Sequence, residues 1–126
     1  KDFQMFNEDT CCTLVPYFTV HEGKLDDFKK VVPKFVERTR SEADTCLFYA
    51  FSFNGSTAYC REGYTDAAAV LAHLENVGDI IEEALTMSEL AKVEVHAPAA
   101  EIEKLREPLA GLNPEFFELV PGGIRA

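Results

Sequence analysis

The chain has 126 residues, 47% of them apolar and 27% charged, and its 12 basic and 22 acidic side chains leave a formal charge of −10. That length fits one domain, and no Pro/Gly/Ser-rich linker divides it. A nucleic-acid binder needs a cationic footprint, which Lys and Arg do not form here. The longest uncharged run, around residues 13–21, falls far short of the ~20 apolar residues of a membrane span. Neither a nucleic-acid partner nor a membrane span is expected.

Cys11, Cys12, Cys46 and Cys60 show no CxxC spacing and have no His at zinc-finger distance, so no metal site is expected. Cysteines this sparse suggest a reducing compartment, and the adjacent pair Cys11-Cys12 reads as thiols rather than a disulfide. The first residue is Lys1 rather than Met, which implies a removed or omitted upstream segment. The expected location is therefore soluble, in the cytoplasm or in an organelle reached after loss of a targeting segment.

In chain order, residues 1–12 read as a flexible polar arm. Residues 13–21 are rich in β-branched and aromatic side chains and read as a strand, with Pro16 awkward inside it. Leu25, Phe28, Val32, Phe35 and Val36 then recur at helical spacing, with Asp26 and Asp27 in the first turn and a kink expected at Pro33. Residues 45–53 and 57–64 read as strands joined by a tight turn at Asn54-Gly55. A helical region follows over 66–87, capped by Thr65 or Asp66 and broken near Gly78. Residues 91–97 alternate as a strand, Pro98 opens a last short helix, and 113–120 read as an extended tail that docks on a partner.

The order β-α-β-β-α-β matches the ferredoxin-like, split βαβ arrangement over residues 13–97, with a C-terminal extension over 98–126. With Asn54-Gly55 as the turn, Tyr49 is expected opposite Cys60. Leu47, Tyr49, Phe51 and Phe53 share one face with Ala58, Cys60, Glu62 and Tyr64. Cys46, Phe48, Ala50 and Ser52 share the other with Thr57, Tyr59, Arg61 and Gly63. Both faces carry apolar side chains, yet two helices cover one side of a sheet only. A homodimer that packs two sheets together is therefore expected, unless the C-terminal extension folds back over the second face.

These residues resemble the antibiotic-biosynthesis-monooxygenase-like (ABM) family of dimeric α+β barrels. The likeness rests on the Gly-Lys turn and helix (HEGKLDDF), the strand with Cys46, Leu47 and Tyr49, the strand end with Arg61, Glu62 and Tyr64, and the helix with Ala72, His73 and Leu74. A second His that often follows that helix motif is absent near Val77 and Gly78, and the chain has no Trp. The resemblance implies a cofactor-independent monooxygenase of a quinol-like or polyphenolic aromatic. The alternative, from a different class, is a non-catalytic subunit that uses the dimer shape and the tail to dock on a larger assembly.

A cofactor-free oxygenase must take a proton from its substrate and exclude water. His73 is the candidate catalytic base, because imidazole titrates near neutral pH; a partly exposed helix histidine is the plainer alternative. Asn76, three residues on, shares its helical side and is a candidate for holding a substrate oxygen, or else a helix C-cap. Tyr17, Tyr49 and Tyr64 are candidates for an aromatic pocket, or else core. Arg61 is a candidate anion contact, or else an ion pair with Glu62. No cofactor is expected, since no Gly-rich phosphate loop or comparable motif appears.

Overall fold

The computed structural model describes residues 9–124. Five strands and four helices follow one another as β1 Cys12–Val20, α1 Leu25–Thr39, β2 Cys46–Asn54, β3 Thr57–Tyr64, α2 Ala67–Asn76, α3 Gly78–Leu85, β4 Ser88–Ala97, α4 Ala99–Leu105 and β5 Glu115–Glu118. Residues 1–8 of the expected arm lie outside the described residues. Cys12, expected in that arm, instead opens β1 and is fully buried. Just before it, the Thr10 hydroxyl donates to the Thr65 carbonyl at 2.6 Å.

The strands form one sheet in the order β2-β3-β1-β4-β5. All neighbours are antiparallel except β4 and β5, which run parallel and are joined through α4. The expected arrangement over the first four strands is thus present, and β4 is longer than alternation suggested because it begins at Ser88. Within the chain, the tail's β5 segment adds an edge strand beside β4, pairing Val95 with Phe116 and His96 with Phe117. It extends the sheet and leaves the second face uncovered.

The hairpin closes one residue later than Asn54-Gly55 implied. Asn54 pairs with Thr57, so Gly55 and Ser56 make the turn, with Gly55 at φ 59° where glycine carries no steric cost. Each partner therefore moves by two, which preserves the faces but puts Tyr49 opposite Glu62 and Phe51 opposite Cys60. A register shift between Cys46 and Phe48 also breaks the alternation at its far end. Cys46 consequently pairs with Tyr64, and Leu47 is exposed.

α1 to α4 all pack on the face carrying Cys12, Leu14, Phe18, Cys60, Tyr64 and Val95. Two apolar clusters share that face. One joins α2 and α4 to Leu14, Tyr64 and Val95; the other joins α1 and α3 to Phe18, Ala58 and the β2 aromatics. Asp66 caps α2 by accepting from the Ala69 N–H at 2.9 Å. Glu101 of α4 accepts from the Ala67 N–H at 2.9 Å, which ties α4 to the start of α2. α1 runs through Pro33, whose ring lies on the exposed side.

The opposite face holds Tyr17 edge-on to Tyr59 at 5.0 Å, the Arg61 guanidinium over Phe48 at 5.1 Å, and His96 stacked on Phe117 at 4.7 Å. These side chains are half-buried or exposed. Phe28 marks the other extreme: it is fully buried, with its ring 5.6 Å from Phe18 and 6.0 Å from Phe53. Truncation by Phe28→Ala leaves a cavity between helix and sheet and is expected to cost about 3–5 kcal/mol, read from the midpoint of urea unfolding at unchanged slope.

Candidate functional site

The polar centre of the molecule lies where the two apolar clusters meet. His73 is placed there by the second turn of α2, with its side chain only 2% exposed. Its Nδ1 is 3.0 Å from both oxygens of Glu42, and its Nε2 is 3.5 Å from Oε1 of Glu62. The rings of Tyr49 and Tyr64 flank the imidazole, with centroids at 5.2 Å and 5.0 Å. One buried imidazole is thus held between two carboxyl groups that come from different parts of the chain.

Glu42 ends a short 3-10 turn, Arg40–Glu42, that follows α1. The turn is fixed from both sides. Thr39 donates its hydroxyl to the Phe35 carbonyl at 2.7 Å, and the Thr45 N–H donates to the Glu42 carbonyl at 3.0 Å. Arg38 donates to the Asn76 carbonyl at 2.8 Å and to Asp79 at 2.9 Å, so the end of α1 is clamped to the end of α2. Asn76 does not use its side chain as a helix cap. Its Nδ2 donates to Glu42 Oε2 at 2.7 Å and also lies 3.3 Å from the Arg38 carbonyl.

Glu62 comes from β3, whose alternation points it inward while Arg61 points to the opposite face. The expected Arg61–Glu62 ion pair is therefore not formed; Glu62 instead accepts from the Tyr64 hydroxyl at 2.6 Å. Burial disfavours its ionised form and pushes its carboxyl up to about 8, against the opposing pull of hydrogen bonds from Tyr64 and Cys60. Burial also lowers His73, with Glu42 acting the other way. Tyr49 and Tyr64 are both raised, first by burial and then by the nearby Glu62 charge.

The two directions describe one arrangement at neutral pH. Burial favours the uncharged form of both groups: a neutral imidazole, whose proton on Nδ1 would be donated to Glu42, and a protonated Glu62 facing Nε2. At 3.5 Å that second contact is too long for a strong hydrogen bond, and a small rotation of either side chain would close it. Among the described residues, no three or more His, Cys, Asp and Glu side chains converge as a metal cage.

The structure brings His73, Asn76, Tyr49 and Tyr64 together, as helix and strand spacing allowed. It sets Tyr17 and Arg61 on the far face of the sheet, away from the imidazole. Glu42 is the site residue that the sequence did not reveal: it lies 31 positions from His73, in a turn with no period of its own. Glu62 had a usable signal, since adjacent strand residues face opposite ways and only Arg61 belongs on the outer face.

Among solved structures the chain is similar to MupZ from Pseudomonas fluorescens, at 42% identity and a TM-score of 0.86, over 92% of this chain and 95% of that one. It is also similar to Rv0793 from Mycobacterium tuberculosis, at 18% identity and a TM-score of 0.62, over 71% of this chain and 95% of that one. A structure described as an antibiotic biosynthesis monooxygenase matches at 18% identity and a TM-score of 0.58, over 67% of this chain and 92% of that one. Neither protein-family profiles nor curated proteins give a match. The fold is that of the ABM-like α+β domains. The chain belongs to the same family as MupZ, which it matches along nearly its whole length.

No helix among the described residues is long and apolar enough to cross a membrane. The state of Glu62 has a thermodynamic consequence. Its folded pKa of about 8 lies above the ordinary 4.5, so the native state holds a proton that the unfolded chain has lost. That contribution is fully present below about 4.5 and is lost as pH rises through about 8. His73, held below 6.5, acts in the opposite direction only at lower pH. Chemical unfolding between pH 6.5 and 8 should show wild type losing stability as pH rises, with Glu62→Gln flattening the curve.

Proposed function

We propose that this protein is a small-molecule enzyme that transfers a proton without a bound cofactor, and that it acts as a monooxygenase on a quinol-like or polyphenolic aromatic. The observation that carries this reading is the buried imidazole, 3.0 Å from both oxygens of Glu42. Removing the proton of a phenolic hydroxyl leaves an electron-rich anion, which can itself reduce oxygen. Overall, quinol and dioxygen give a hydroxyquinone and water, so the substrate is the reductant and no redox group is needed. The Glu42–His73 pair takes the hydroxyl proton onto Glu42, while the imidazole N–H holds the carboxyl in place. The fold shared with a structure described as an antibiotic biosynthesis monooxygenase supports the same reading.

The Glu42–His73 pair also favours a second reading. A carboxylate that takes a proton and can return it suits a redox-neutral reaction, such as isomerisation or elimination. Oxygen uptake separates the two. Purified protein is expected to consume oxygen with at least one member of a quinol panel, and His73→Ala should slow it by about 10²-fold or more. Wild-type uptake no faster than buffer across the panel would remove the monooxygenase reading and leave the redox-neutral one.

The same proposal includes a homodimer formed through the uncovered sheet face. Tyr17, Phe48, Tyr59 and Phe117 there form a half-buried aromatic surface crossed by Arg61 and Lys92. Pairing two such faces about a two-fold axis would bury it. Light scattering should give twice the 14.1 kDa chain mass, and Tyr17→Glu with Tyr59→Glu should return it to the single-chain value; a single-chain mass for wild type would exclude the dimer.

A further inference from the structure

We propose that Glu42, rather than His73, is the group that a substrate touches, and that the ligand is a small, mostly apolar molecule that donates a hydroxyl at the corner between α1 and β2. The inference rests on the acid–base reading above and specifies where its substrate sits. The imidazole and the Glu62 carboxyl are sealed: their side chains are 2% and 4% exposed. Glu42 is 10% exposed and faces a cleft of about 350 Å³, a size within the usual range for a small-molecule site. Neither His73 nor Glu62 lines that cleft. A ligand seated in it therefore meets Glu42 and Tyr49 rather than the imidazole itself, and of these two only Glu42 is hydrogen-bonded to His73.

The walls define the ligand. Val36, Ala43, Cys46 and Phe48 supply apolar surface, and Thr39, Arg40, Glu42 and Tyr49 supply the polar groups. The Phe48 ring is held in two ways. Arg61 lies over it at 5.1 Å, and Gly63 opposite leaves the space that a Cβ would take from the ring. Cys46 adds an unionised wall, since burial and then the charge of Glu42 push its thiol up to about 11. At the floor, Oε2 of Glu42 takes the Asn76 amide as well as the imidazole, whereas Oε1 takes the imidazole alone. A carboxylate oxygen has room for two donors, so Oε1 retains a place for one more.

The step itself is simple. In the resting complex the ligand keeps its proton and donates its O–H to Glu42 Oε1; in the reaction that O–H bond breaks, the proton passes to Oε1, and the electron pair remains on the ligand oxygen. His73 and Asn76 act through Glu42 and are positioning residues.

The test uses 4-nitrophenol, whose neutral and ionised forms have different visible spectra. At a pH where the free probe is half ionised, saturating wild-type protein should reduce the phenolate band. The bound probe keeps its proton because a second negative charge beside Glu42 is disfavoured. Glu42→Gln should abolish that reduction, and His73→Gln should retain it. Cys46→Trp or Val36→Phe, each filling the cleft from its wall, should prevent it while circular dichroism shows the fold intact. Two independent fillers guard against one failing to fold.

An unchanged phenolate band with wild type, or the wild-type change in both fillers, would overturn the proposal. Oxygen uptake keeps its fate distinct from that of the monooxygenase reading. Uptake lost in His73→Ala but unaffected by Glu42→Gln and by both fillers would preserve that reading and overturn this one. A probe response as described, with no oxygen uptake on any quinol, would do the reverse.

Discussion

The site depends on holding one neutral imidazole inside the protein against a carboxyl that reaches it from another element. Burying an ionisable group without partners costs several kcal/mol, so His73 at 2% exposure requires both nitrogens to be answered. Glu42 answers Nδ1 and Glu62 faces Nε2. Each carboxyl is then itself held: Glu42 by Asn76, and Glu62 by Tyr64. The result is a closed polar chain in which no buried side-chain N or O among the described residues lacks a partner.

The surrounding fold can be read as the means of bringing these groups together. α2 presents His73 and Asn76 on one side, at a spacing of three residues, and β3 presents Glu62 and Tyr64 at a spacing of two. Those spacings are local. Glu42 requires a tertiary device, the clamp from Arg38 to the end of α2 and to Asp79, which swings the turn after α1 over the imidazole. The same turn borders the cleft beside Cys46 and Phe48. One contact therefore joins the helix layer, the hairpin and the entrance from solvent.

Much of this was legible in the sequence wherever the signal was local. Helical spacing found α1 and α2, alternation found β3 and β4, and the Asn-Gly pair located the hairpin to within one residue. His73, Asn76, Tyr49 and Tyr64 could be singled out because helix and strand periods put them on inward faces. What escaped depends on contacts distant in sequence. Glu42 sits in a short turn with no period, and Tyr17 shares its aromatic character with the pocket tyrosines but lies on the other face. The register shift between Cys46 and Phe48 has no signature in the alternation of the strand. The strand within the tail was not legible because a four-residue parallel edge strand has almost no local signature; α4 and the free edge of β4 decide its place.

The account stands or falls on where the protons are at neutral pH. Nitrogen-15 resonance of the His73 ring reads this directly, because protonated and bare ring nitrogens resonate far apart. The arrangement described here predicts one of each in a neutral imidazole, the proton on Nδ1 toward Glu42 and Nε2 bare toward a protonated Glu62. Two protonated nitrogens at neutral pH, with Glu62 ionised beside them, would contradict it.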